Sequence, residues 1–267
     1  MALDDTKKTI WIDVDNSPHV PLFAPIIRYY HLRGVDVILT AREHSQTLEL
    51  LELQGFSDIY TIIGRHHGKY KLNKIIGTLG RAHELASHLK KQIKNGSKPA
   101  VAISHGSRAM VLAAWWLQIP VISMYDYEFN ETMIFNHLST RVLVPERIPD
   151  AVLDEIGLPV KKRFKYPGIK EELYVNEFCL QSDFRRKFLE SNNLQVSDKV
   201  LVVLRPPATT ANYHVVGSEE LFDKMLRRLL DDDDAFTIIV PRTEEQSKEI
   251  EANISRLNVP GSNYLSK

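Results

Sequence analysis

The feature that most constrains the fold of this chain is a regular alternation of short apolar runs with longer amphipathic segments. The run at residues 10–14 is almost continuously apolar and ends in a turn at 15–18 that contains Asp, Asn, Ser and Pro. Runs of this kind are typical of strands that are covered on both faces. Further strands are predicted at residues 35–40, 58–63, 100–104, 121–125, 141–144 and 164–168.

Helical periodicity separates these strands. Amphipathic helices are predicted at residues 20–32, 43–54, 72–94, 107–118 and 148–158. Asn16 or Ser17 is expected to cap the first of them, with Pro18 in its first turn. Strands joined by helices of this length need right-handed crossovers, which produce a parallel sheet. The sequence therefore predicts an α/β fold that begins with a Rossmann-type domain.

The pattern divides the chain into two parts. A first Rossmann-like domain is predicted at residues 1–166, a connection at 167–181, and a second Rossmann-like domain at 182–267. In the second domain we expect strands at 200–204 and 236–240 and helices at 183–190, 219–230 and 244–257, the first of these helices capped by Ser182. Two strands are too few to bury both faces of a sheet, so this domain is expected to be incomplete. Its open sheet edge invites pairing, which makes a homo-oligomer compatible with the sequence.

Composition and charge exclude several classes of protein. Lys and Arg number 34 together, as do Asp and Glu, so the chain lacks the basic excess of a nucleic-acid-binding protein. The single cysteine, Cys179, excludes an intrachain disulfide and a multi-cysteine zinc site. Residues 1–8 are polar, and the apolar runs fall far short of the roughly 20 residues that a membrane span needs. A cytoplasmic protein that does not span a membrane is expected.

The first candidate site residues lie in the loop after the first strand, because parallel α/β sheets bind ligands at the carboxyl ends of their strands. His19 lies at the start of the first helix, where the helix dipole disfavours the protonated imidazole. A neutral imidazole at a cleft can act as a general base. The alternative is that His19 serves packing or capping. Asn16 and Ser17 precede it and are candidate substrate-binding residues.

Two later loops carry further candidates. After the fourth strand, His105 is followed by Gly106, which allows close backbone approach, and Arg108 can pair with a phosphate or carboxylate. The alternative there is an ordinary turn with a surface arginine. After the fifth strand, Asp126 and Glu128 can bind sugar hydroxyls or act as acid and base, unless they belong to a solvated loop.

Two more segments have the composition of ligand-binding loops. Residues 64–71 are basic and glycine-flanked, and form either a mobile lid for an anionic substrate or a solvated connection. His66 and His67 are neighbours there, which is not a metal-binding spacing, and no spacing elsewhere suggests zinc. Arg205 follows the first strand of the second domain and can neutralise a diphosphate.

Four motifs together resemble a prokaryotic family of unknown function that is related to GT-B glycosyltransferases. They span residues 11–20, 40–43, 104–108 and 166–172, and the resemblance extends from about residue 9 to residue 260. It implies two facing Rossmann-like domains, an acceptor-side domain followed by a donor-side domain, with a nucleotide sugar, UDP-linked, as substrate in the cleft. It also implies that no metal or cofactor is needed. In many such enzymes a histidine of the first strand–helix loop serves the acceptor, and His19 occupies that place.

The same layout is similar to UDP-N-acetylglucosamine 2-epimerases. Those enzymes have a His-Gly-Asp-Thr sequence where this chain has residues 105–108, so Ser107 stands in place of the functional aspartate. Leu204 stands in place of the histidine that precedes Arg205, and Asp126 lies one residue beyond the acidic position. Epimerisation at C2 needs acid and base groups, so these departures count against it.

Three hypotheses follow. The leading one is a GT-B-type sugar transferase, or its acceptor-binding portion, with His19 as base and an unidentified acceptor. The substrate would be bound by Asn16, Ser17, His105, Gly106, Ser107, Arg108, Asp126, Glu128 and Arg205. Because the glycine-rich turn and the carboxylate of GT-B donor sites do not follow Ser262, a donor-incompetent, truncated protein is also expected. The second hypothesis is a non-catalytic binding module that needs a partner, and the third is a nucleotide-sugar epimerase.

Overall fold

The computed structural model describes residues 8–65, 71–129, 131–179, 181–209, 214–215, 217–256 and 264–266. The chain divides into two compact units, Met1–Phe178 and Cys179–Lys267. Residues 167–178, which the sequence assigned to the connection, belong to the first unit. In that stretch Glu177 accepts a hydrogen bond of 2.8 Å from Arg28, a residue of the first helix.

The first unit is built on one parallel sheet. Its seven strands are β1 (Thr9–Val14), β2 (Asp36–Glu43), β3 (Tyr60–Arg65), β4 (Val101–His105), β5 (Val121–Met124), β6 (Arg141–Pro145) and β7 (Arg163–Tyr166). They are ordered β3-β2-β1-β4-β5-β6-β7, and every pairing is parallel. The predicted α/β fold with a Rossmann-type parallel sheet is thus confirmed.

Helices cover both faces of this sheet. They are α1 (His19–His31), α2 (Thr47–Leu53), α3 (Lys71–Lys94), α4 (Arg108–Trp116), α5 (Met133–Leu138), α6 (Asp150–Glu155) and α7 (Glu172–Val175), with a 3-10 turn at Val160–Lys162. On one face Trp11 packs with buried residues of α3 and α4. On the other face Ile12 packs with buried residues of α1 and α2. The sheet is therefore covered on both sides, as its apolar strands predict.

Several predicted boundaries differ from the structure. α2 begins at Thr47 instead of residue 43, because β2 continues to Glu43, which pairs with β3. Neither Asn16 nor Ser17 caps α1 through its side chain, since Pro18 occupies the N-cap position. The short helices α5 and α7 were not predicted, because four to six residues contain too little periodicity to be recognised.

The second unit contains a smaller parallel sheet. Its strands are β8 (Val200–Leu204), β9 (Ala235–Ile239) and β10 (Tyr264–Ser266), and its helices are α8 (Phe184–Ser191), α9 (Gly217–Leu230) and α10 (Glu244–Arg256). The expectation of only two strands was wrong, since β10 pairs with β9 and gives the order β10-β9-β8. The N-cap of α8 is Asp183, so the predicted cap at Ser182 was also wrong.

Apolar clusters lie on both faces of the small sheet. Ile239 packs with buried residues of α9 and α10, and Phe236 and Ile238 pack with Leu189 of α8. Among the helices of the described part of the chain, none has the length and apolar character needed to cross a membrane.

A buried ion pair joins the elements at the carboxyl edge of the large sheet. Asp13 is fully buried in β1, and Arg81 of α3 is 3% exposed. The Arg81 guanidinium donates to both carboxylate oxygens of Asp13, at 2.8 and 2.9 Å, and its Nε donates to the Ile63 carbonyl of β3 at 2.9 Å. Thr40 of β2 and Ser107, the N-cap of α4, each donate a hydrogen bond of 2.6 Å to the same carboxylate. One carboxylate thereby connects β1, β2, α3 and the start of α4.

Replacing Arg81 with methionine should lower the free energy of unfolding by about 3–5 kcal/mol, because Asp13 would remain as an unpaired buried charge. Urea unfolding monitored by circular dichroism measures the change. Arg186→Met removes an exposed arginine whose contacts are with Asp183 and Glu190, and should cost less than about 1 kcal/mol. Equal losses in the two variants would contradict a special role for the buried pair.

Candidate functional site

The strand order reverses between β1 and β4, and this position defines the candidate site. From β1 the chain moves outward to β2 and β3, whereas β4 lies on the other side of β1 and leads to β5. The loops after β1 and β4 diverge here, and in open α/β sheets ligands bind in the crevice that results. His19 begins the helix that follows β1, and His105 ends β4.

Two histidines meet at this position. The ring centroids of His19 and His105 are 4.9 Å apart, with the rings inclined by 47°. His19 is 9% exposed, and its Nδ1 is buried without a hydrogen-bond partner among the described residues. Nε2 of His105 is likewise buried and makes no hydrogen bond there, although it lies 3.5 Å from Oδ1 of Asp126. Each imidazole thus retains a nitrogen that can accept or donate a proton.

A lysine from beyond β7 completes this group. Lys170 forms an ion pair with Asp126 and lies 3.1 Å from a carboxylate oxygen of Glu171. The turn that delivers it contains Gly168, whose φ of +76° lies in the left-handed region. A Cβ at Gly168 would also meet the carboxylate of Glu172, the end of a flexible side chain that can move aside. The turn after β7 therefore favours glycine, and it brings a cation to the two histidines.

The surroundings keep both imidazoles neutral. Burial lowers the pKa of His19 well below its ordinary value, and the neighbouring His105 and Lys170 lower it further. Burial also lowers the pKa of His105, with Asp126 opposing the shift and Lys170 adding to it. At neutral pH both rings are uncharged, and a neutral ring nitrogen can take a proton from a hydroxyl.

Asp126 remains ionised in this setting. Burial alone would raise its pKa, but the hydrogen bond from Lys170, the His105 imidazole and the charge of Lys170 together hold the pKa below its ordinary value. Tyr166, at the end of β7, lies close enough to be affected, and burial followed by the charge of Asp126 raises its pKa to about 12. The site therefore combines two neutral imidazoles with one carboxylate–ammonium pair.

A second group of charges lies at the ends of β1, β2 and β4. Asp15 is 3.2 Å from Arg81 and 3.5 Å from Arg42. Burial raises the pKa of Asp15, whereas Arg81, Arg42 and Arg108 oppose that shift. Arg108 itself forms an ion pair with Glu131, a residue that is 71% exposed. Several arginines thus face a single carboxylate at the crevice.

The structure places the other residues of the first loop beside this crevice. The Asn16 side chain accepts a hydrogen bond of 2.9 Å from the Ser17 amide, and the Ser17 hydroxyl lies 3.5 Å from that of Thr47. The amide of His19 donates to the Asn16 carbonyl at 3.0 Å. The side chains of Asn16 and Ser17 are half-buried and stay candidates for ligand binding.

Ser107 differs from its predicted role. Its hydroxyl is fully buried, donates to Asp13 and accepts a hydrogen bond of 3.3 Å from the Met110 amide, so it caps α4 within the protein. We therefore reassign Ser107 from substrate binding to positioning of the loop. Gly106 has a φ of +71°, and a Cβ there would meet open space, so it leaves room for a ligand.

The remaining candidates are less closely grouped. Glu128 is half-buried in the loop after β5. Arg205 is exposed at the carboxyl end of β8 in the second unit, and its proposed contact with a diphosphate stays a prediction. Residues 66–70 of the basic loop lie outside the described residues. Within the described residues, no group of three or more His, Cys, Asp or Glu is arranged to hold a metal ion.

Sequence reasoning missed the residues that act through long-range contacts. Asp13 carried a recognisable signal, since a carboxylate inside an apolar strand needs a partner when it is buried. Arg42 and Lys170 stood within motifs that resemble the family, but nothing local indicated that they lie at the crevice. Arg81 stands inside a long amphipathic helix, where an arginine is ordinarily exposed.

Several solved structures share the fold of this chain. UDP-GlcNAc 2-epimerase from Neisseria meningitidis, bound to UDP-GlcNAc, matches with a TM-score of 0.69 at 14% identity, covering 97% of this chain and 71% of that one. UDP-GlcNAc 2-epimerase from Methanocaldococcus jannaschii, in complex with UDP-GlcNAc and UDP, matches with a TM-score of 0.67 at 16% identity. The match covers 97% of this chain and 73% of that one. Anabaena HepE, in complex with UDP and glucose, matches with a TM-score of 0.60 at 12% identity. The match covers 97% of this chain and 69% of that one. The chain is a GT-B-like protein of Rossmann type.

The family of this chain is more specific than its fold. Residues 8–262 match the family described as "Protein of unknown function (DUF354)", and the chain belongs to that family. An uncharacterized protein of Methanocaldococcus jannaschii is 25% identical over 255 residues, which cover 93% of this chain and 70% of the relative. The resemblance inferred from the four sequence motifs is thus confirmed.

Replacing Lys170 with methionine should raise the pKa of both histidines, because the variant removes a positive charge that opposes their protonation. The effect should be larger for His105, since Asp126 would then be released from its ammonium partner. NMR titration of the imidazole resonances measures both values, and Lys187→Met, on the exposed surface of α8, provides the control. Unchanged pKa values in the Lys170 variant would contradict the described electrostatic coupling.

Proposed function

We propose that this protein is a GT-B-type sugar transferase in which His19 is the general base. The observation that carries the proposal is a buried imidazole, held neutral and with an unpartnered Nδ1, at the point where the strand order of a Rossmann-type sheet reverses. A base of this kind is unprotonated at neutral pH and is therefore available to take a proton from a hydroxyl group. The reaction that matches it is the activation of a hydroxyl group.

The fold supports a nucleotide sugar as the second substrate. The neighbours with the same fold contain UDP-GlcNAc, or UDP with glucose, according to their descriptions. By analogy we propose a UDP-linked sugar for this chain, with an acceptor hydroxyl and with neither metal nor cofactor. This step rests on fold likeness, which suggests the substrate class without identifying the sugar.

The geometry suggests how the reaction would proceed. His19 would take the proton of the acceptor hydroxyl while that oxygen forms a bond to the anomeric carbon of the sugar. The bond from that carbon to the nucleoside diphosphate would break, and the diphosphate would leave with the electron pair. Gly106 would leave space for the acceptor, and Asp126 and Glu128 would accept hydrogen bonds from sugar hydroxyls.

Activity of the His19→Gln variant tests the proposed base. Turnover of UDP-sugar should fall by roughly 10²–10⁴-fold, because general-base catalysis contributes about that much. Initial rates over a range of pH give the measurement, and the wild-type rate should decline on the acid side as the imidazole becomes protonated. His83→Gln changes an exposed histidine of α3 and should leave the rate unchanged. Full activity in the His19 variant would remove its proposed role.

A nucleotide-sugar epimerase is the second candidate. The His105–Asp126 contact favours it, because it places another titratable pair next to His19 and so supplies more than one group for proton transfer. Incubation with UDP-N-acetylglucosamine in deuterated water separates the two functions. An epimerase incorporates deuterium at C2 of the sugar, whereas a transferase leaves that position unlabelled.

The hypothesis of a non-catalytic binding module makes a different prediction from both enzymes. It requires affinity for a nucleotide sugar or for an acceptor without chemical change of either ligand. The same incubation would then leave the nucleotide sugar intact, while calorimetry would detect binding that depends on residues of the crevice.

A further inference from the structure

The arginines at the ends of β1, β2 and β4 are matched unequally by their carboxylate partners. Arg81 is already matched, because it donates to both carboxylate oxygens of Asp13. It also lies 3.2 Å from Asp15, nearer to that carboxylate than Arg42 does at 3.5 Å. Asp13 and Asp15 thus share Arg81, whereas Arg42 has only the 3.5 Å contact to Asp15 and Arg108 pairs with Glu131.

Arg42 is the least satisfied of these arginines. Among the described residues it makes one hydrogen bond, of 3.5 Å to Asp15, which is at the long limit for such a contact. Its Nε is buried and has no partner in the part of the chain that the structure describes. A guanidinium carries five donors in a planar arrangement, and a buried donor without an acceptor is costly. The side chain is 22% exposed, so a ligand can reach it.

Arg108 is close enough to lower the pKa of Asp15, and it has an exchangeable partner. It is 35% exposed and pairs with Glu131, which is 71% exposed. Ion pairs with such exposed groups contribute little, about 0–1 kcal/mol, so a ligand can displace the glutamate. Arg42 lies in β2 and Arg108 begins the helix after β4, and these two strands lie on either side of β1.

We propose that Arg42 and Arg108 together bind an oxyanionic group, a phosphate or a carboxylate, of a ligand at the candidate site. The planar guanidinium groups match the geometry of such anions. Glu131 forms an ion pair with Arg108 when no ligand is bound, and it competes with the anion for this arginine. This inference rests on the proposed function for the nature of the ligand, and it adds that the ligand has an anionic group near the histidines.

Isothermal titration calorimetry with charged and neutral probes tests the inference. UDP, N-acetylglucosamine 1-phosphate and neutral N-acetylglucosamine are titrated into the wild-type protein and into three variants, Arg42→Gln, Arg108→Gln and Glu131→Gln. The two arginine variants should bind the anionic probes at least about tenfold more weakly, since hydrogen bonds to charged groups are lost. Glu131→Gln should bind them about two- to fivefold more tightly, because a competing carboxylate is removed. The neutral sugar should respond to none of the changes.

The exposed pair Arg186–Glu190 provides matched controls. Its members are 62% and 60% exposed and lie 3.0 Å apart on one helix of the second unit. Arg186→Gln and Glu190→Gln alter the net charge by the same amounts as the test variants and should leave every affinity unchanged. Arg42→Lys keeps the charge but loses the planar group, and should bind anions with intermediate affinity. The opposite effect of Glu131→Gln cannot arise from misfolding.

The outcomes distinguish this inference from the proposed function. If the arginine effects are confined to UDP, the anion is the diphosphate of the donor. If they are confined to the sugar phosphate, the anion belongs to the acceptor. Turnover of UDP-sugar that is insensitive to Arg42 and Arg108 would overturn the inference and leave the proposed function intact. Arginine-dependent anion binding without turnover of UDP-sugar would support the inference and contradict the proposed transferase activity. A wild-type protein without affinity for either anionic probe would also overturn the inference.

Discussion

The buried contact between Asp13 and Arg81 is the interaction on which the rest of the site depends. Asp13 lies one residue before the end of β1, on the face covered by α3 and α4, and its carboxylate accepts hydrogen bonds from three other side chains. A charge in this position is tolerated only because the guanidinium and the two hydroxyls satisfy its oxygens. The partners come from β2, from α3 and from the N-cap of α4, so the loops after β1 and β4 are held in one arrangement.

The two faces of the sheet contribute differently to the crevice. On the α3 and α4 face, the Asp13 network fixes the backbone and is inaccessible to a ligand. On the α1 face, His19 and His105 approach each other, and Lys170 and Asp126 form the adjoining ion pair. A rigid network beneath a partly open set of titratable groups is the arrangement that a preorganised site requires.

Burial shifts the pKa values of the titratable residues at the crevice more than any single neighbouring charge does. Burial is the largest cause of the lowered pKa of His19 and of His105, and it opposes the ionisation of Asp15 as well. The neighbouring charges then decide which groups stay ionised. Asp126 is ionised because Lys170 binds it, whereas the imidazoles stay neutral because the same ammonium repels their protonated forms.

Local patterns in the sequence were sufficient to predict the alternation of strands and helices, the parallel sheet and the loops in which a ligand would bind. These features depend on local periodicity and on the chirality of the connections, which a single chain displays directly. The sequence therefore predicted His19, His105 and Asp126 as candidates, and the four motifs indicated the family.

The roles of those residues depend on contacts that form only when the chain folds. Asp13 and Arg81 are 68 positions apart, and Lys170 and Asp126 are 44 positions apart, so neither pairing leaves a local pattern. Ser107 changed from a ligand contact to a cap because its hydroxyl meets a carboxylate from another strand. The three-residue strand β10 exists through its pairing with β9. In each case burial and distance between remote residues, which periodicity does not encode, determine the outcome.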